Sequence, residues 1–179
     1  SGILHVYGPD FDGESLLDIM EDSNRTRAWK RCHACLSAIA RAGMECGKEG
    51  AALLRDAGQS GPEAIQVADD GSILVLPGPL YQRAITSQEA HIERENRLEW
   101  VHPDSGRRND RANLSFLTAS IAYRIAAGAS PFMTAPLWKL HDTTRETEEA
   151  FMARLVRNAF VLPLSQVHSA IPSRLSQSV

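Results

Sequence analysis

Three short constellations hold residue types that could do chemistry. Cys32-His33-Ala34-Cys35, with Cys46 further on, offers thiols and an imidazole of the kind that hold zinc or run redox chemistry. On a helix, two cysteines three apart and the histidine between them do not converge on one tetrahedral point. Cys32, His33 and Cys35 are therefore carried as metal candidates, with core packing as the preferred reading. His102-Pro103-Asp104 resembles a catalytic pair, but an aspartate that close in sequence orients a histidine poorly, and a surface turn is expected instead. At His141-Asp142 the aspartate is expected to cap a helix. No Gly-X-Ser-X-Gly elbow occurs, and Gly58-Gln59-Ser60-Gly61 lacks the Lys-Ser/Thr of a phosphate loop.

The whole chain bounds these readings. Its 179 residues are enough for one domain with a sizeable core. A net charge of −3 gives no basic face, so nucleic acid is not an expected partner. No apolar run approaches the ~20 residues of a membrane span. Three cysteines, an odd number, argue against a disulfide framework and for a reducing, cytoplasmic setting. No internal repeat or low-complexity segment is present.

The elements that must position any site follow from periodicity. Residues 3–7 alternate and predict a short strand. Leu16, Leu17, Ile19 and Met20 predict a short helix capped by Ser15 or Asp12. Residues 26–42 predict an amphipathic helix whose stripe is Trp29, Cys32, Leu36 and Ile39, ended by Gly43. Residues 47–60 are expected to form a helical turn around 51–55, then a loop. Residues 61–79 predict a β-hairpin: Ala64 to Val67 as one strand, Ala68-Asp69-Asp70-Gly71 as the turn, Ser72 to Leu76 as the other, and Pro77-Gly78-Pro79 as its stop. The charged run at 87–97 reads as a solvated loop or surface helix. Residues 113–127 predict a buried helix on Leu114, Leu117, Ile121 and Ile125, widened by Phe116, Ala119, Ala122 and Tyr123 and capped by Gly128. Asp142 and a Thr143-X-X-Glu146 capping box predict another helix with Phe151, Leu155 and Val156 buried. A last short helical piece is expected at 166–171. The fold class is mainly α with a small β-hairpin, α+β, in a single domain over residues 1–179.

This order resembles the large, C-terminal lobe of a protein kinase. Gly61-Pro62-Glu63-Ala64 falls where Lys-Pro-Glu-Asn would precede a hairpin, and Leu76-Pro77-Gly78-Pro79 falls around the Asp-Phe-Gly position. Trp100-Val101-His102-Pro103-Asp104 resembles the Ala-Pro-Glu segment. Tyr123, Gly128, Pro131 and Phe132 resemble the end of the central helix. The resemblance implies that the small, N-terminal lobe lies outside this chain and that the C-terminus is truncated. It also implies that Glu63 pairs with an arginine further on, for which Arg174 is the candidate.

The departures from the family bear on function. Ala64 stands where the metal-binding asparagine would, and Pro77 where the aspartate would, so neither supplies an oxygen for Mg²⁺. Without a gap, Ala57, Gly58 and Gln59 fill the His-Arg-Asp slot. With three residues inserted, Leu54, Arg55 and Asp56 fill it, which makes Asp56 the one catalytic candidate. Leu114 replaces the aspartate that braces the catalytic loop. What is expected is a pseudokinase-like, catalytically inactive lobe with no cofactor. It would act as a regulatory or protein-interaction module on a protein partner, a missing N-lobe or adjacent domain, or a second copy as a homodimer. The alternatives are a divergent phosphotransferase using Asp56 as base, and an unrelated mainly helical binding domain.

Overall fold

A computed structural model describes residues 11–76, 99–132, 134, 137, 139–158 and 160–167. The strand expected at 3–7, the stop at Pro77-Gly78-Pro79, the charged run at 87–97 and Arg174 lie outside these residues.

The described chain is mainly helical, with one small antiparallel sheet. Strand β1 (Glu14–Ser15) leads directly into helix α1 (Leu16–Glu21). Ser15 caps α1: its hydroxyl accepts from the Asp18 N–H at 3.1 Å and donates to the Asp18 carboxylate at 2.6 Å. Of the two expected caps, Ser15 serves and Asp12 does not. Helix α2 (Arg25–Glu45) is capped by Asn24 and runs through Gly43, the residue expected to end it. Helix α3 (Gly47–Gln59) replaces the expected turn and loop. Both corrections have one cause. A Cβ on Gly50 would sit 2.7 Å from the carbonyl oxygens of Ala42 and Gly43, and one on Gly43 would strike Leu54. These glycines let α2 and α3 cross at close range, so they continue helices rather than stopping them. Trp29, placed on the α2 stripe by spacing, is 45% exposed, and Ala28 and Cys35 take its place inside.

A 3₁₀ turn (Pro62–Ala64) leads from α3 into β2 (Ile65–Val67), which pairs with β3 (Ile73–Val75) in the expected hairpin. The turn is closed by the Gly71 N–H donating to Ala68 O at 3.0 Å and the Ala68 N–H donating to Ser72 O at 2.9 Å. On its other side β2 pairs with β1, Glu14 opposite Val67 and Ser15 opposite Gln66, giving the order β1-β2-β3.

Helix α4 (Asp110–Ala127) begins three residues before the expected start, because Asn109 caps it by accepting from the Ala112 N–H at 2.8 Å. Gly128 closes it in the left-handed region, φ 74°. Leu114, Leu117, Ile121 and Ile125 of α4 join Leu16, Ile19, Met20, Cys32, Leu36, Ile39, Leu54, Ile65 and Val67 in one core. Fully burying a large aliphatic side chain contributes about 1.5–3 kcal/mol. The hairpin packs chiefly on α1 and α3, and α4 packs chiefly on α3 and α2. Phe116 turns to a second core of Phe132, Leu137, Phe151, Met152, Leu155 and Val156. Serving two cores is why α4 reads as apolar nearly all round.

Helix α5 (Glu148–Arg157) is capped by Thr147, not by the Thr143 box. Asp142 closes a local turn on Thr144, and Glu146 pairs with Arg154 at 2.6 Å, so neither is free to cap. Helix α6 (Leu164–Val167) follows, two residues ahead of its expected start. No helix among the described residues is long and apolar enough to cross a membrane.

Candidate functional site

The resemblance places chemistry where α3, the hairpin and α4 meet. Ala64 is fully buried there, and its carbonyl accepts from the Leu76 N–H at 2.9 Å. Its methyl supplies no metal ligand, so a magnesium nucleotide does not fit the donor set at this position. Asp56 lies within the last two turns of α3, half-buried, with its carboxylate 3.7 Å from Arg55 Nε. Asn113 is 1% exposed and donates to Ser105 O at 2.9 Å, while Asn113 Oδ1 and Ser60 Oγ are buried without a hydrogen-bond partner among the described residues.

Beside this junction is an ionic cluster that spacing did not reveal. Arg124 of α4 reaches Glu99 and Glu21, each at 3.3 Å, and its guanidinium lies 5.7 Å over the Trp100 ring. Burial lifts the Glu99 carboxyl above the ordinary range, Arg124 pulls it back down, and the charge of Glu63 lifts it further. An arginine inside a largely apolar helix was the one available signal, because its partners lie 25 and 103 residues away.

The three cysteines and His33 do not converge on one ligand set. Cys32 and Cys35 are buried in the α2 face of the core, and burial pushes their thiols up to about 11 and about 12. A thiol that stays protonated is a poor nucleophile and a poor ligand. His33 is on the exposed side with its ring 6.2 Å from that of Trp29, and Cys46 is exposed at the α2–α3 junction. No group of three or more His, Cys, Asp and Glu residues among the described ones could hold a metal ion.

His102 corrects the expected surface turn: it is 7% exposed. Its ring meets Phe116 edge-on at 5.4 Å, and Phe116 stacks on Phe132 at 5.9 Å. His102 Nδ1 accepts the Asp104 backbone N–H at 3.1 Å, so the proton of the neutral ring is on Nε2. Burial lowers the pKa of His102 below its ordinary value, and the charge of Arg108 lowers it further. The Asp104 carboxylate pairs instead with Arg157 at 3.4 Å. His141 stacks on Phe151 at 4.8 Å and its Nε2 lies 3.1 Å from Glu146 O, while Asp142 serves a turn, so this pair is structural.

His102, Phe116, Ser120, Tyr123 and Phe132 line a cleft of about 230 Å³, with Arg108 and Arg157 also on its wall. Its residues come from four separate stretches of chain, which is why periodicity could place Phe116 and Tyr123 on α4 but could not bring them to His102. Comparison with family models, with curated proteins and with solved structures gives no match.

Proposed function

We propose that this chain is a protein kinase-like large lobe that has lost phosphoryl-transfer chemistry and works as a regulatory or protein-interaction module. The observation that carries the reading is Ala64. It is the buried last residue of a Pro-Glu-Ala 3₁₀ turn that leads into a hairpin, and further on comes a buried helix followed by Gly-X-X-Pro-Phe. Phosphoryl transfer depends on positioning and on metal-neutralised phosphates, and an alanine at that point offers neither. The edge offered to a partner is β3: among the described residues it pairs only with β2, and its Ile73, Leu74 and Val75 are partly exposed. A small lobe, an adjacent domain or a second copy could cover it.

The test is transfer of the γ-phosphate of ATP to a generic protein substrate by the purified protein. The reading expects no transfer above background. Transfer that disappears in Asp56→Ala would instead support a divergent phosphotransferase with Asp56 as base.

One observation favours the unrelated helical binding domain. Residues 47–59 form an unbroken helix, where the resemblance expects a catalytic loop. A chain that binds neither a small lobe nor its own copy, and that carries no nucleotide, would fit this second reading.

A further inference from the structure

We propose that the cleft between α4 and α5 binds a small carboxylate with a flat apolar body, the body laid on the Phe116–Phe132 stack and the carboxylate met by Arg108. The proposal stands on the cleft alone and does not depend on the kinase-like reading.

The chemistry of the wall is selective. Its floor is aromatic and aliphatic, from Phe116, Phe132, Tyr123 and Val156. The Tyr123 hydroxyl is committed to Leu162 O at 2.9 Å, so the tyrosine presents its ring rather than a polar tip. Two nearly inaccessible polar side chains also line the cleft: Ser120, 2% exposed, and His102, whose one N–H is on Nε2. Both charged side chains on the wall are arginines. Arg157 is shared with Asp104 through two contacts of 3.4 Å. Arg108 has no carboxylate partner among the described residues and is exposed. An apolar floor with few convergent donors and an exposed guanidinium at the wall matches an anion with a hydrophobic body, and guanidinium–carboxylate contacts are the favoured pairing. At about 230 Å³ the space is below that of drug-sized sites, roughly 300–1,000 Å³. The ligand is therefore a free aryl acid or the C-terminal aromatic residue of a peptide, which present the same group.

The experiment is a titration followed by backbone amide shifts, using 3-phenylpropionate, its neutral amide, and N-acetyl-Gly-Phe with a free carboxylate. Saturable shifts around His102 and Tyr123 are expected with at least one acid, with the amide about tenfold weaker. Stronger binding of the dipeptide identifies a peptide terminus, and stronger binding of phenylpropionate identifies a free acid. Arg108→Gln, on an exposed position, should keep the melting temperature and weaken the acid about tenfold while leaving the amide unchanged. Ala119→Phe, at the exposed lip, should block both. The proposal is overturned by the absence of saturable shifts up to about 10 mM, by equal affinity for acid and amide, or by an Arg108→Gln protein that binds the acid as well as the parent.

Discussion

Gly58 and Asn113 bring the end of α3 and the start of α4 together: a methyl on Gly58 would lie 2.9 Å from Asn113 Cβ and 2.8 Å from the Leu114 nitrogen. The second contact is to backbone, which cannot rotate away. Gly58→Ala should therefore destabilise the protein by about 1–3 kcal/mol, as overpacking does. Gly106→Ala, where nothing lies within 4 Å, should change stability by no more than about 0.5 kcal/mol. Urea denaturation of the two variants checks this, and equal midpoints would contradict the close approach.

Tyr123 ties α4 to the chain beyond α5. Tyr123→Phe keeps the buried ring but removes the hydroxyl that reaches Leu162 O across 39 residues. The expected loss is about 1 kcal/mol. Hydrogen exchange should rise selectively in residues 160–167, and uniform exchange would count against a tether.

The legibility of this chain divides along the same physical line. The hairpin was readable because Asp70-Gly71 is a local turn signal between two β-prone runs. The stripe of α4 was readable because helical period is local. At Gly43, a glycine that ends a helix and one that admits a neighbouring helix look alike until Leu54 is placed beside it. Asn109 and Thr147 cap their helices with an alanine three residues on, so neither carries the Glu or Gln that marks the Thr143 box. The Arg124–Glu99 pair and the His102 cleft depend on contacts distant in sequence, which no periodicity encodes. Ala64 could be placed from sequence only through the resemblance.

The sign of the Glu99 effect is testable by pH. Its folded pKa is raised above 4.5, chiefly by burial. Such a carboxyl contributes stability that is full below the unfolded value and lost as pH rises through the folded one. Glu99→Gln, uncharged and of the same shape, should be more stable than the parent at pH 7, with the gap closing below pH 4.5. A Gln variant that is less stable at pH 7 would mean that the Arg124 pair outweighs the cost of burial.

Thiol accessibility separates the three cysteines. In the folded protein Cys46 should react with iodoacetamide at pH 8, while Cys32 and Cys35, buried and with raised thiol pKa values, should react only after unfolding. Peptide mapping of the alkylated sites reads this directly. Rapid labelling of Cys32 or Cys35 would remove them from the α2 core face.

The proposal that this chain binds no magnesium nucleotide is tested most directly by thermal unfolding with ATP, with and without Mg²⁺. A ligand at about 100 times its Kd would add about 2.7 kcal/mol and raise Tm by about 5–10 °C in a chain of this size. The expected result is the same Tm in all conditions. A Tm that rises with ATP only when Mg²⁺ is present would contradict it.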